Sequence, residues 1–323
     1  MAYKTAVYIA AKNRLSERRK KAENDQATRH SLAVMKCPEI QDIENEMASY
    51  GAKVIKAVGM GADAEEYVKK LSVKSLAAQE KRKELLLKCG YSEDYLDIKY
   101  TCPLCKDTGF CGEHYCKCHL KLIKEIAREE INRYAPLDKC TFDSFRLQYY
   151  PDITDKEIGV NQKSHMAEIY ELCRNFAESF SHERRSILMC GGTGLGKTHL
   201  SLAIAGRVLD KGFNVHYESA QNLMDKLEKE HFGRAQGEAS YRDEILECDL
   251  LIIDDLGCEF QTQFTKAEIY NIVNTRHLRS LPTIINTNLS INEIEEVYHQ
   301  RVASRIIGNY AILLFCGNDN RQR

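Results

Sequence analysis

No apolar run in this 323-residue chain approaches the roughly 18 residues needed to cross a bilayer, which excludes a membrane-spanning helix. A secretion signal is not expected either. The opening "MAYKTAVYIAAKNRLSERRKK" turns basic and helical and offers no small-residue cleavage site, so the expected compartment is the cytoplasm. Thiols there stay reduced. Net charge is also scarce, −1 in all, and argues for no particular partner. The halves differ a little: 25 Lys+Arg face 20 Asp+Glu over residues 1–135, against 21 and 27 over the rest. A mildly basic front and an acidic back point weakly to different partners. The densest basic run, "RLSERRKKAE", reads as a solvated helix face rather than a nucleic-acid patch. There is no internal repeat and no low-complexity tract. Proline is rare, with Pro38 alone in the first 98 residues.

Cysteine, by contrast, is plentiful at 13. Eight (Cys37, Cys89, Cys140, Cys173, Cys190, Cys248, Cys258 and Cys316) are scattered singly, the pattern of small buried hydrophobes. The other five crowd into "TCPLCKDTGFCGEHYCKCH", residues 101–119, with two histidines. In a reducing compartment such density points to metal. Cys102 and Cys105 form a C-x-x-C knuckle, and Cys116 and Cys118 a tighter C-x-C pair beyond the turn-rich "KDTGF". Two thiolate pairs on a short loop can close a tetrahedron around zinc, a structural site with no open position. The C-x-C half is the less usual one, so Cys111, His114 and His119 stay open as substitutes.

Periodicity divides the chain. The front is helical: "YVKKLSVKSLAAQEKRKELLLKCG" sets Val68, Leu71, Leu76 and Leu85 to Leu87 at rough helical spacing, with Gly90 as a C-cap. Another amphipathic helix, "LKLIKEIAREEINRYA", follows the cysteine loop. "APLDKCTFDSFRLQYYPD" breaks the pattern with two prolines and an aromatic cluster. The expected domains are therefore a helical partner-binding front over 1–134, a linker over 135–150, and a second domain over 151–323. From about residue 185 short apolar strands alternate with helices. "RSILMC", "FNVHYES", "DLLIIDD", "PTIINTN" and "YAILLFCG" are the five strands, and "DLLIIDD" is apolar at four successive positions, as a doubly covered parallel strand should be. Ser290 and Glu293 have capping-box spacing ahead of the last helix. The fold class is α/β, a five-stranded parallel sheet flanked by helices.

"GGTGLGKT" (Gly191, Gly192, Thr193, Gly194, Leu195, Gly196, Lys197, Thr198) fits the P-loop pattern and has a strand before it and a helix after it. The glycines let backbone N–H groups converge on phosphate oxygens at a helix N-terminus. Lys197 is placed to reach the β and γ phosphates of ATP, and Thr198 to offer its hydroxyl to magnesium. "LLIIDDLG" supplies the acidic partner, at the end of a buried strand expected beside the P-loop strand. Asp254 fits the magnesium shell, and Asp255 is the candidate to orient or deprotonate the attacking water.

The order "GGTGLGKTHL", "LLIIDDLG", "INTNLS", "RVASRI", "GNDNR" resembles the AAA+ ATPases of the DnaC/DnaI helicase-loader group, with IstB-like transposition ATPases as near relatives. The resemblance covers about residues 140–323. "CPLCKDTGF…CKC" and "TFDSF" are similar to the zinc-binding segment and linker of Gram-positive and phage loaders. The resemblance implies a loader that places a replicative helicase on single-stranded DNA, self-associates through its ATPase domain and grips the helicase with its front. It further implies that Asn288 is a sensor near the γ-phosphate, Arg305 an arginine finger for a neighbour's ATP, and Arg321 a second sensor in cis. Arg301 shares the "RVASR" stretch with Arg305. Two other readings share the ATPase module: delivery of a transposase to DNA, and a zinc-stapled adaptor that binds ATP as a switch. The chain departs from the AAA+ pattern twice. Asp255 stands where most members carry Glu, which implies slow basal hydrolysis, and with the sequence running to residue 323 the helical lid usual after the last strand is not expected.

Overall fold

The computed structural model describes residues 3–57, 64–156, 158–233 and 240–319. The chain divides into two compact units, one of Lys12–His119 and one of Met1–Ala11 with Leu120–Arg323. Arg321 lies outside the described residues. No described helix is long and apolar enough to cross a membrane.

The first unit is built on three long helices, α1 (Thr5–Lys36, its first turns in the other unit), α2 (Glu39–Ala57) and α3 (Ala64–Lys88). Along α3 the buried stripe is Leu71, Ala78 and Leu86, at steps of seven and eight residues. The sequence reading put Leu76 and Leu87 on that face, yet they are 59% and 52% exposed. At 100° per residue Leu76 lies about 140° round from Leu71, too far to share its side. Gly90 does end α3, with φ +80 and the Tyr91 N–H donating to the Leu86 carbonyl. The end of α1, the start of α2 and the end of α3 pack through Ala33, Cys37, Ile40 and Leu86. That packing corrects a second expectation: Cys37 and Cys89, read as separate thiols, are joined as a disulfide across 52 residues. Nothing in their spacing announces it, because the pairing is made by helix packing. A short hairpin, β1 (Phe110–Cys111) with β2 (His114–Tyr115), completes the unit.

The second unit holds a parallel sheet of β3 (Ser186–Cys190), β4 (Val215–Ser219), β5 (Leu250–Leu256), β6 (Thr283–Thr287) and β7 (Tyr310–Leu314), the five strands expected. Their order is β4-β5-β6-β3-β7. The acidic strand β5 is thus not beside the P-loop strand β3, as the sequence reading supposed; β6 lies between them. Leu250, Leu251, Ile252 and Ile253 are all fully buried, as are Leu188, Met189, Ile284 and Ile285. The covering helices are α4 (Lys117–Asn132), α5 (Gln162–Glu178), α6 (Lys197–Asp210), α7 (Ala220–His231), α8 (Tyr241–Glu247), α9 (Gln263–Leu278) and α10 (Ile291–Asn309). Helix α4, read from sequence as part of the front domain, lies in this unit from Leu120 onward. Its Arg128 bridges Asp138 and Asp210.

Two details fix the ends of the sheet. Below, fully buried Arg276 has no carboxylate partner among the described residues; its guanidinium donates to Thr283 Oγ1 and to the carbonyls of Ile245, Cys248 and Pro282. These bonds tie α9 to the starts of β5 and β6, and they satisfy a charge that would otherwise be costly to bury. Above, α10 starts with the expected Ser290–Glu293 capping box but breaks at His299, where φ is 69° and ψ 158°. Arg301 and Arg305 follow that break.

Candidate functional site

The C-terminal ends of parallel strands are where ligands bind in such sheets, and the P-loop sits there, between β3 and α6. Its glycines are needed for their conformations. Gly191, Gly194 and Gly196 have φ of 142°, 74° and 89°. A Cβ on Gly196 would also meet Phe145 Cε2 at 2.8 Å and Tyr150 Oη at 2.9 Å. The loop curls around Lys197, 5% exposed, whose ammonium donates to the carbonyls of Gly191 and Gly192 at 2.6 and 2.7 Å. A third donation runs to Asn288 Oδ1 at 2.8 Å. Asn288 comes directly after β6, the strand that intrudes between β3 and β5.

The same strand supplies a residue that sequence reading missed. Asn286, fully buried, donates through Nδ2 to Asp254 Oδ1 at 2.7 Å and to Ser201 Oγ at 2.9 Å. Asp254 Oδ1 also accepts from Thr198 Oγ1 at 3.2 Å, so the expected threonine–aspartate pair is met across the intervening strand. Its other oxygen, Oδ2, accepts from Tyr217 on β4 at 2.5 Å. Burial and the Asp254 charge push the Tyr217 phenol far above its ordinary range, so it stays protonated as the donor. Asp255, next along, is exposed and left-handed at φ +53, where the β5–β6 register slips. Left-handed backbone in a non-glycine residue costs on the order of 1 kcal/mol and collects at functional positions. It turns the Asp255 side chain away from the core and onto the cavity wall.

That cavity, about 290 Å³, is lined by residues 193–199, Asp255, Asn288 and a stretch from Ser144 to Tyr150. The stretch falls in the segment taken from sequence as a linker. Phe145 stacks on Tyr150 and on Tyr170 at 5.9 and 5.8 Å between centroids, and meets His199 edge-on at 5.3 Å. Tyr150 Oη donates to the Leu195 carbonyl at 2.9 Å, inside the P-loop. His199 Nε2 is held by the Thr141 carbonyl and Ser144 Oγ. The aromatic cluster in "TFDSFRLQYY" was the available signal; its use as a wall came from folding. One side of the cavity offers N–H groups and an ammonium, the other flat rings. The donor set fits a nucleoside triphosphate, and Thr198 with Asp254 offers the hard oxygens that magnesium takes.

Arg305 does not line this cavity. Its Nε donates to Asn274 Oδ1 at 2.6 Å and its guanidinium lies 5.0 Å over the Tyr270 ring, both on α9. Arg301 is exposed.

In the other unit the two cysteine pairs meet. The sulfurs of Cys102, Cys105, Cys116 and Cys118 all lie within 4.8 Å of one another, the one such group among the described residues. Cys102 and Cys116 are 3.8 Å apart, Cys105 and Cys118 3.4 Å. A zinc–sulfur bond of about 2.3 Å puts tetrahedral sulfurs about 3.8 Å apart, so the four fit the ion. The backbone N–H of Cys105 draws the Cys102 thiol down to about 7, whereas burial drives Cys118 up. Asp107, unremarked in the sequence, ties the first knuckle: 2% exposed, it accepts from the N–H groups of Thr101 and Cys102 at 2.8 and 2.9 Å. Cys111 and His114 are exposed on the hairpin, outside the group. Buried His119 approaches the Gly109 carbonyl through Nδ1 and packs edge-on against Phe110 and Tyr115.

The sheet order, the P-loop and the acidic pair together define a P-loop fold of the AAA+ class. Residues 152–309 match the family described as IstB-like ATP binding protein. The replicative helicase loader DnaC of Escherichia coli K12 is 27% identical over 185 residues, 57% of this chain and 70% of that protein. DnaC of Buchnera aphidicola from Acyrthosiphon pisum is 23% identical over the same shares. Among solved structures, a DnaC helicase loader aligns with a TM-score of 0.46 and 19% identity, over 56% of this chain and 99% of that one.

Proposed function

We propose that this protein is an ATPase that loads a replicative helicase onto single-stranded DNA. The reading rests on one observation above the others: Lys197, Asn288 and Asp255 converge on one cavity, in a chain 27% identical to a protein named as a replicative helicase loader. In this reading Lys197 exchanges its loop carbonyls for the β and γ phosphates, which carry more negative charge. Thr198 and Asp254 hold magnesium, which would supply charge neutralisation at the phosphates. Asp255 orients the attacking water and Asn288 fixes both the lysine and the γ-phosphate side of the cavity. Phe145 and Tyr150 face the base. Arg305 serves a neighbour's site after leaving Asn274, and Arg321 contacts phosphate in cis. Cys102, Cys105, Cys116 and Cys118 hold a structural zinc that stiffens the helical front, residues 1–134, as the helicase-gripping part. The linker 135–150 joins it to the ATPase domain, 151–323, in the cytoplasm.

The test uses the full chain. Lys197→Ala removes an ammonium that makes two or more charge-assisted bonds to phosphate, each worth about 1.5–3 kcal/mol, so ATP affinity should fall at least about a hundredfold. Unchanged affinity would remove the ATP site from the reading. The partner is tested separately, with Asp255→Asn as an ATP-holding bait in native cells. A hexameric helicase should be recovered, more with single-stranded DNA present. Recovery of a transposase instead overturns the loader reading.

A further inference from the structure

We propose that Tyr217 is a positioning residue of the magnesium site, fixing the Asp254 carboxylate from the edge strand. The inference rests on the ATP reading above. β4 and β5 are paired in register, Tyr217 opposite Ile252 and Ser219 opposite Asp254. Residues two apart on neighbouring strands share a face, and a tyrosine is long enough to span that diagonal. The phenol therefore reaches Asp254 from the side away from the P-loop.

Lone-pair accounting says what the contact does. A carboxylate has about four acceptor positions. On Asp254, Oδ1 uses two, for Asn286 Nδ2 and Thr198 Oγ1, and Oδ2 uses one, for Tyr217 Oη. One position is left, on Oδ2. With donors on both oxygens the carboxylate cannot turn about its own axis, so the remaining lone pair has a fixed direction. The Thr198 hydroxyl, having given its proton to Oδ1, is left with lone pairs only. The cation shell thus meets two oxygens already set as acceptors. Asn286 alone could not do this: with Oδ2 free, the carboxylate could rock about its bond to Asn286. Asp254 is 5% exposed, so water has little access to take over the phenol's part.

Tyr217→Phe keeps the ring and removes only the donor; Tyr217→Leu removes the ring as well. The probe is a fluorescent ATP analogue bound to the full chain, titrated with Mg²⁺ and repeated in excess chelator. A hydrogen bond to a charged group carries about one to two decades of equilibrium constant, and part of it should reach the cation. Tyr217→Phe is expected to raise the Mg²⁺ midpoint about tenfold and to leave affinity in chelator within about twofold. The same midpoint as wild type overturns the proposal, whatever Tyr217→Leu does. So does an equal loss with and without Mg²⁺, since the hydroxyl would then support the phosphate loop or the fold. A phenylalanine variant like wild type beside a defective leucine variant means packing alone. Wild-type protein that binds no ATP analogue at all sinks the ATP reading first, and is seen before any variant is made.

Discussion

Two regions of this molecule gather polar side chains, and they do so over different lengths of chain. The cysteine cluster draws four sulfurs from 17 consecutive residues, 102–118. The nucleotide site draws on Phe145, the P-loop, Tyr217, Asp254, Asp255, Asn286 and Asn288, from a linker and four strands of one sheet. A local cluster is fixed by turns, here by Asp107 bonding back to Thr101 and Cys102. A distributed site is fixed by strand order. The difference predicts how each fails: the first all at once through its ion, the second piece by piece.

The largest effect belongs to the local cluster. Structural zinc contributes apparent free energies of about 10–16 kcal/mol in small domains, where metal binding and folding are one equilibrium. Cys102→Ser and Cys116→Ser should each release about one zinc per chain and unfold the front unit, with loss of helical circular dichroism. Cys111→Ser should keep the metal. Zinc content measured on the three purified proteins decides the ligand set; loss confined to Cys111→Ser would break it. As pH falls the metal should loosen, because protons compete with it for the four thiolates.

The next effect asks whether the distributed site extends beyond one chain. An arginine finger supplied in trans is worth about 10³ to 10⁵ in phosphoryl-transfer rate. Arg305, held by Asn274 and Tyr270 on its own chain, must exchange those contacts to act on a neighbour. Arg305→Ala should bind ATP normally and turn it over at least about a thousandfold more slowly. Mixed with Asp255→Asn, it should regain part of the activity, because some interfaces then pair an intact aspartate with an intact finger. A mixture as inactive as either variant confines the site to one chain. Recovery by Arg301→Ala mixtures instead would move the role one turn along α10.

What could be read from sequence follows the same division. The knuckle spacing of Cys102, Cys105, Cys116 and Cys118 names all four sulfurs that the fold brings together, since turns need no distant information. The P-loop, Asp254 and the five strands were legible for a like reason, each being a contiguous pattern. The place of β6 was not. Its insertion between β3 and β5 is what lets Asn286 reach Asp254, and strand order is a property of packing that no single segment carries. Tyr217 lies in "FNVHYES", which has no motif, and becomes informative only when register sets it diagonal to Asp254. The disulfide of Cys37 and Cys89 was hidden in the same way, between helix ends 52 residues apart. The break of α10 at His299 has no proline or glycine to mark it.

The smallest effect tests the segment that sequence and fold describe most differently. Phe145 was read as linker, yet it stands at the cavity wall beside Tyr150 and over Gly196. If its ring faces the base, Phe145→Ala loses a stacking contact worth about 1–3 kcal/mol, and ATP should bind about tenfold to a hundredfold more weakly. Tripolyphosphate, which has the charge but no base, should bind as before. The comparison matters because Phe145 also packs near the P-loop: a Cβ on Gly196 would lie 2.8 Å from its ring. A ring that merely props the loop would, when removed, weaken both ligands by the same factor. Equal losses would therefore return the segment to a structural part. A loss for ATP alone would extend the nucleotide site by some fifty residues toward the N-terminus, counted from Phe145 to Lys197. It would also mean that a segment ahead of the first strand of the sheet takes part in binding the base.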